Sequence, residues 1–188
     1  ISEALNKSIE NDFEGFNLVY QPIFENSGNT IISCEALLRW SPNDVRIGAC
    51  YPDEFIPILE NTGGIIPVGY FVMKEAIRQA AEWRKKYKKF SVSFNVSYLQ
   101  LQDPDFVPAI IKTVNMYHLD TSSVIVELTE SVLAADTDMV RNSFELLKQN
   151  GIKIALDDFG TGNSSFWTLH NINIDILKLD KSFIRGLN

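Results

Sequence analysis

The chain has 188 residues, of which 45% are hydrophobic, and its seven prolines and ten glycines are scattered rather than clustered. This composition is typical of one globular domain with a sizeable core. The formal net charge of −7 argues against nonspecific binding to nucleic acids or to anionic membranes, because lysine and arginine drive such binding.

Two cysteines, Cys34 and Cys50, are too few for a disulfide scaffold and do not have the spacing of metal ligands. They favour a reducing compartment, so we expect a cytoplasmic domain, or one on the cytoplasmic side of a tethered parent protein. No apolar run approaches the ~20 residues that a membrane-spanning helix needs. The first residue is Ile1 rather than Met, which suggests a segment of a longer chain.

Short apolar runs rich in Val, Ile and Phe alternate with stretches of helical period, and this alternation predicts repeated βα units. Helices are predicted at Pro67–Lys88, at Asp105–Tyr117, at Asp138–Asn150 with Gly151 as its stop, and briefly after Ser164. The six predicted strands are, in chain order, Leu18–Ile23, Ile31–Leu38, Ser91–Val96, Val124–Leu128, Ile152–Leu156 and Ile174–Leu179.

A polar side chain lies in or closes the apolar part of five of these strands. In a (β/α)₈ barrel the active site is built at the carboxyl ends of several strands, so these side chains would converge. One such residue is usually a surface residue, but five in succession make that explanation poor. The five residues are Glu35, Asn95, Glu127, Asp157 and Lys178.

Four of these five side chains offer only oxygen ligands, which is the set expected for Mg²⁺ or Mn²⁺ rather than for zinc. The two histidines, His118 and His170, do not lie at predicted strand ends, and we expect neither to be catalytic. The sequence therefore predicts a divalent metal site made of carboxylates.

Asp157 and Asp158 are adjacent, and neighbours in a strand point to opposite faces. Both could face one centre only if the backbone turns between or just after them, and the glycines of Phe159–Gly162 permit such a turn. Two converging carboxylates repel, and one divalent ion, or two about 4 Å apart, would remove the repulsion. The alternative is a helix-capping aspartate before the helix predicted after Ser164.

Two metal ions held by carboxylates suit phosphodiester hydrolysis. Lys178 could orient the attacking water or hold a phosphate oxygen. Alternatively, it forms a structural ion pair with Asp175, with Asp180 or with a strand-end carboxylate. Arg39 follows Glu35 by four residues, and its planar fork suits phosphate, although alone it would more often be a surface arginine.

Six motifs, in order along nearly the whole chain, resemble those of the EAL domain, the bacterial phosphodiesterase that linearises cyclic di-GMP. A lone Glu-Ala-Leu carries no information, but six motifs in register are highly specific. The motifs are Tyr20-Gln-Pro-Ile23, Glu35-Ala-Leu-Leu-Arg-Trp40, Phe94-Asn-Val-Ser97, Glu127-Leu-Thr-Glu-Ser131, Asp157-Asp-Phe-Gly-Thr-Gly162 and Leu177-Lys-Leu-Asp180.

The resemblance implies an α/β fold, a modified (β/α)₈ TIM-like barrel whose first strand is antiparallel to its neighbours. It implies hydrolysis of cyclic di-GMP to linear pGpG with two Mg²⁺ or Mn²⁺ ions. Family members continue into two more strands that carry a catalytic glutamate. We therefore expect residues 1–188 to be a C-terminally incomplete domain with about six of eight strands, inactive or weak by itself.

Residue by residue, the resemblance implies metal ligands, catalytic groups and substrate contacts. It marks Glu35, Lys178 and Asp158 as catalytic, and Glu130 as the residue that holds the loop Asp158–Ser165 in shape. Asn163 departs from the family, because a tyrosine is usual there. The implied metal ligands are Glu35, Asn95, Glu127, Asp157 and Asp158, and the implied substrate contacts are Gln21, Leu37 and Arg39.

The alternative function is a catalytically inactive receptor that binds cyclic di-GMP and acts through a partner or a dimer. A scaffold with a relic pocket is a third option. The resemblance leaves open a homodimer and an attached sensory or diguanylate cyclase domain. We expect cyclic di-GMP as the ligand and no nucleic acid.

Overall fold

The computed structural model describes residues 1–42, 47–48, 50–129, 132, 137–160, 174–180 and 182–185. Within these residues six strands form one mixed sheet, in the same order as in the sequence. The first strand pairs antiparallel with the second, and every later pair of neighbours is parallel. The predicted α/β fold with an antiparallel first strand is confirmed.

All six predicted strands are present, and their bounds differ from the prediction by a few residues. The largest difference is in the fifth strand, which continues three residues past Leu156 to include both aspartates. The strands are β1 Phe16–Phe24, β2 Ile31–Trp40, β3 Ser91–Asn95, β4 Val124–Thr129, β5 Lys153–Phe159 and β6 Ile176–Leu179.

Three of the predicted helices are confirmed, and the helix predicted after Ser164 lies outside the described residues. Within the described residues, four further helices and the 3₁₀ turn Thr121–Ser123 before β4 were not predicted from the sequence. The helices are α1 Ser2–Glu10, α2 Pro52–Thr62, α3 Ile65–Arg84, α4 Tyr98–Leu101, α5 Phe106–Met116, α6 Asp138–Gln149 and α7 Ser182–Arg185.

The missed helix α2 begins with a signal that is visible in the sequence. Pro52 occupies its first turn, where the absent N–H is not needed, and the side chain of Glu54 accepts a hydrogen bond from the backbone N–H of Tyr51 at 2.8 Å. Pro57 lies inside the helix, and it argues against a helix in the sequence because proline usually marks a helix end.

The two faces of the sheet differ in chemistry because side chains alternate along each strand. One face is apolar and is covered by helices, with Val92, Phe94, Val126 and Leu128 buried there. The other face carries smaller or polar side chains. The core therefore lies between the sheet and the helices, and the opposite face remains available for a site.

The end of the sheet where β1 starts and β2 finishes is closed by aromatic side chains. Trp40 packs against Phe16 and Phe55, and its indole Nε1 donates a hydrogen bond to Ser8 Oγ of α1 at 3.0 Å. All four side chains are buried. Helix α1 is thereby attached to the last residue of β2.

Gly15 and Gly28 give a matched test of backbone packing, because both have positive φ, +85° and +76°. A β-carbon on Gly15 would lie 2.6 Å from the carbonyl oxygen of Ser41, whereas one on Gly28 would meet nothing within 4 Å. We expect Gly28→Ala to lower the free energy of unfolding by about 1 kcal/mol, from left-handed strain alone. We expect Gly15→Ala to cost roughly 3 kcal/mol, since backbone must also move. Urea denaturation measures both, and equal losses would contradict the packing argument.

Candidate active site

The inner face of the sheet brings the predicted site residues onto adjacent strands. The pairing register places Gln21 beside Glu35, Asn95 beside Glu127, and Thr129 beside Asp157. Because β2 to β6 are parallel, their carboxyl ends meet at one edge of the sheet. Side chains that are distant in the sequence therefore face a common space at that edge.

Three carboxylates form the centre of this space. Within the described part of the chain, Glu35, Glu127 and Asp157 each place one carboxylate oxygen within 4.8 Å of the others. Glu127 is the most enclosed of them, with 2% of its surface exposed. Oxygen donors so close together match the needs of a hard divalent cation.

Lys178 reaches into the same centre and contacts all three carboxylates. Its ammonium nitrogen lies 2.8 Å from Glu35 Oε2, 2.5 Å from Glu127 Oε2 and 3.0 Å from Asp157 Oδ2. The sequence left open which acidic residue Lys178 pairs with, and the structure selects the strand-end carboxylates. Asp175 is paired instead with Lys148, at 2.6 Å.

The pKa shifts in this cluster show opposing effects of burial and charge. Burial raises the pKa of Glu127, and hydrogen bonding and attraction from Lys178 oppose that rise. Burial alone would lower the pKa of Lys178, but Glu127, Glu35 and Asp157 together raise it above its ordinary value. The ammonium of Lys178 therefore favours the charged form of the enclosed Glu127 carboxylate against the effect of burial.

Asn95 lies at the carboxyl end of β3 and touches the cluster from the side. Its side-chain Nδ2 donates a hydrogen bond to Glu35 Oε1 at 2.9 Å. Asn95 is exposed, unlike Glu127 in the neighbouring strand. The amide is thus placed beside the carboxylates without being buried among them.

The two adjacent aspartates do not share one environment. Asp158 has φ +52°, so the backbone turns at this residue and not only at the glycines that follow. Its backbone N–H donates to Asp157 Oδ1 at 3.0 Å, and its side chain is exposed. Asp157 belongs to the cluster of three carboxylates, whereas Asp158 does not.

A cleft of about 280 Å³ adjoins the carboxylates. Leu37 and Arg39 line it, and so does Asn95, which also contacts Glu35. Arg39 Nη1 donates to the carbonyl oxygen of Leu38 at 2.8 Å, which directs part of its guanidinium toward the strand. Gln21 lies in β1, opposite Glu35, and is exposed.

The far wall of the cleft consists of residues that the sequence reading did not single out. They come from α2, α3 and the segment around α4, and most are apolar. The start signal at Tyr51–Glu54 would have revealed α2 and its contribution to the wall. The wall residues include Ile56, Glu60, Ile65, Val68, Val72, Val96 and Gln100.

Some predicted site residues and motifs cannot be placed. Glu130, Asn163 and His170 lie outside the described residues. His118 lies in the turn after α5, with φ +52°. Both cysteines are free and buried, in agreement with the expected absence of a disulfide. In the described part of the chain, no helix is both long and apolar enough to span a bilayer.

A family model described as the EAL domain matches residues 2–188. Among curated proteins, Cyclic di-GMP phosphodiesterase PA2567 of Pseudomonas aeruginosa is 36% identical over 174 residues, which are 93% of this chain and 29% of that protein. Cyclic di-GMP phosphodiesterase PdeR of Escherichia coli is 35% identical over 98% of this chain and 27% of its own length. The chain thus spans little more than a quarter of these two relatives.

Solved structures agree with the sequence matches. The structure described as PaMucR Phosphodiesterase, c-di-GMP complex, superposes with a TM-score of 0.81 at 34% identity, covering 93% of this chain and 73% of that one. EAL Enzyme Bd1971, in its cAMP and cyclic-di-GMP bound form, gives 0.85 at 30% identity, covering 99% and 50%. The fold is therefore that of EAL domains, which are TIM-barrel-like.

Lys178→Met tests the role of the central ammonium, with Lys148→Met as the matched control. Without Lys178 the enclosed Glu127 and its two neighbours repel one another, so we expect the free energy of unfolding in chelator to fall by about 3 kcal/mol. Lys148 pairs with one carboxylate, Asp175, whose side chain is 34% exposed, so a loss of about 1 kcal/mol or less is expected. Urea denaturation in the presence of EDTA measures both variants. A smaller loss for Lys178→Met than for Lys148→Met would contradict the central role.

Proposed function

The chain belongs to the EAL domain family, and from this membership we propose that it hydrolyses cyclic di-GMP to linear pGpG. The observation that carries the proposal is the convergence of Glu35, Glu127 and Asp157 on one cation, Lys178, at the carboxyl edge of the sheet. Two relatives named cyclic di-GMP phosphodiesterases match nearly the whole chain and support the substrate.

We further propose that the site holds two Mg²⁺ or Mn²⁺ ions. The all-oxygen donor set fits these ions, because three carboxylates and one amide already face a common space. Glu35, Asn95, Glu127 and Asp157 would hold the first ion, and Asp157 with Asp158 the second. When bound, the ions would lower the pKa of the attacking water and stabilise negative charge on the phosphate.

The remaining side chains bind and orient the substrate in this proposal. Arg39 holds a phosphate through its guanidinium, while Gln21 and Leu37 contact the substrate beside it. Lys178 contacts the same carboxylates that would hold the ions, and in this proposal its ammonium orients water against the phosphate. The cleft beside Leu37 and Arg39 supplies apolar walls for the rest of the ligand.

The parent protein is proposed to carry further domains, since the chain spans 29% and 27% of two relatives. In this proposal the parent protein carries a sensory or diguanylate cyclase domain. It lies in the cytoplasm and forms a homodimer. Glu130 is proposed to shape the loop after Asp158. Residues 1–188 are proposed to be one EAL domain that continues beyond them.

A receptor that binds cyclic di-GMP without cleaving it is the second candidate. It is favoured by the position of Asp158, whose exposed carboxylate lies outside the cluster of three. A site with one ion could bind the phosphate and fail to activate water. Calorimetry with cyclic di-GMP, combined with chromatography of the products, separates the two functions: binding without pGpG identifies the receptor.

Glu35→Gln tests catalysis in the full-length parent protein with Mg²⁺ or Mn²⁺. It keeps the side-chain size but removes a charge next to Lys178 and Asn95, and we expect turnover of cyclic di-GMP to fall at least about 100-fold. Glu25→Gln is the control, because Glu25 lies in the exposed β1–β2 turn and, among the described residues, its carboxylate accepts a side-chain hydrogen bond only from Ser27. Turnover retained in Glu35→Gln, or lost equally in both variants, would refute the assignment.

Metal binding should also appear as a gain in stability. Three close carboxylates repel, so a divalent ion that binds the folded state should raise the melting temperature. At an ion concentration 100-fold above its dissociation constant the gain is about 2.7 kcal/mol. Thermal denaturation with Mn²⁺ and then with excess EDTA measures the effect and its reversal. Glu127→Gln should abolish it, and an unchanged melting curve of the wild type at millimolar Mn²⁺ would count against the site.

A further inference from the structure

The aromatic ring of Phe183 lies directly on the backbone of Gly160. A β-carbon built on Gly160 would overlap the ring, with Cζ and Cε2 of Phe183 as its nearest neighbours. Gly160 has φ +97°, so both its conformation and its contact require the absence of a side chain. This contact joins helix α7 to the residue three positions after Asp157.

The segment beneath the ring is irregular. The pairing of β5 with β6 shifts register between Leu156 and Phe159, where β5 bulges. Asp158, inside the bulge, has φ +52°, and its N–H is bonded to Asp157 Oδ1. Bulges are common next to active sites, and here the N–H of the bulged Asp158 holds Asp157 Oδ1 while Asp157 Oδ2 contacts Lys178 in the carboxylate cluster.

Phe183 is held by hydrogen bonds to the segment that carries Lys178. Phe183 N–H donates to the carbonyl oxygen of Asp180 at 3.1 Å, and Ser182 N–H donates to Asp180 Oδ1 at 2.8 Å. These bonds start α7 at Ser182, four residues after Lys178. The ring is therefore placed by the same chain segment that places Lys178.

The exposure of Phe183 indicates what the ring does. Phe183 is 49% exposed, so it contributes less to core burial than phenylalanines such as Phe55 and Phe94. Its defined contact is with Gly160, at the end of the bulge. Lys178 Nζ lies 3.0 Å from Asp157 Oδ2, which is one contact between the two segments that carry these residues. The packing of the Phe183 ring on Gly160 is a second contact between the same two segments.

We propose that Phe183 is a positioning residue that holds the Asp157–Gly160 bulge in shape and so fixes the Asp157 carboxylate in the cluster. Its effect on metal binding and turnover rests on the proposed function, whereas its effect on the bulge does not. The ring lies against Gly160, and Phe183 is not among the described residues that line the cleft with Leu37 and Arg39.

Phe183→Ala removes the ring, and Leu177→Ala is the matched control, because Leu177 is 43% exposed on the same segment. We expect amide hydrogen exchange in the peptide that covers residues 157–160 to become about tenfold faster in Phe183→Ala and to stay within twofold in Leu177→Ala.

In Phe183→Ala we also expect the Mn²⁺ dissociation constant to rise about tenfold and kcat to fall with KM unchanged, because the substrate contacts remain in place. Phe183→Met, which restores apolar contact through a flexible chain, should recover most of both losses.

A double-mutant cycle isolates the contact itself. Gly160→Ala adds a methyl group where the ring lies, so this change alone should lower the Mn²⁺ affinity. Combined with Phe183→Ala, the same change retains only its left-handed strain. The loss of Mn²⁺ affinity in the double variant should therefore be smaller than the sum of the two single losses.

The outcomes are decisive even if one variant is unstable. Unchanged exchange at residues 157–160 in both Phe183→Ala and Phe183→Met, or additive losses in the cycle, would overturn the positioning role. Equal effects of Phe183→Ala and Leu177→Ala would also overturn it, because they would indicate general destabilisation. If the wild type binds no Mn²⁺, the proposed metal site fails, while amide exchange and thermal stability of the five variants still decide whether the ring holds the bulge.

Discussion

The enclosed carboxylate of Glu127 is the interaction on which the rest of this structure depends. A buried negative charge is costly unless an opposite charge is held against it, and Lys178 supplies that charge from a strand 51 residues away in the sequence. The arrangement requires β4 and β6 to lie on either side of β5 with their ends aligned. Glu35 and Asp157 then share the same ammonium. Chain topology and site electrostatics are therefore one problem, because neither partner can be moved to another strand end without leaving a charge uncompensated.

Much of this arrangement follows from local sequence. The strands carry apolar residues on one face and polar residues at their ends, and that pattern alone predicted the residues Glu35, Glu127, Asp157 and Lys178 as neighbours. Other features depend on contacts between distant segments. The bulge at Asp158 accompanies a register shift in the pairing of β5 with β6, and the apolar pattern of β5 does not predict that shift. Helix α2 was missed for another reason: Pro57 interrupts its pattern, although its start signal at Tyr51–Glu54 is present.

The two adjacent aspartates illustrate how one motif can serve two purposes. Asp157 lies within the cluster, and Asp158 turns the backbone directly after it and donates its N–H to Asp157 Oδ1, while its own side chain is exposed. The family resemblance assigns metal chemistry to both residues. The geometry adds a conformational role for Asp158 that is compatible with a metal role, since aspartate tolerates left-handed backbone better than most residues. A residue of such a motif can therefore be needed for its backbone conformation as well as for its side-chain chemistry.

The antiparallel direction of β1 has a mechanical consequence. Because β1 runs against its neighbours, its first residue, Phe16, pairs with Trp40 at the edge of the sheet where the parallel strands end. The polypeptide thus enters the sheet at the carboxyl edge of the parallel strands, and α1 is hydrogen-bonded to Trp40, the residue next to Arg39. A displacement of α1 would therefore be transmitted through Ser8 to Trp40 and from there to its neighbour Arg39, which lines the cleft.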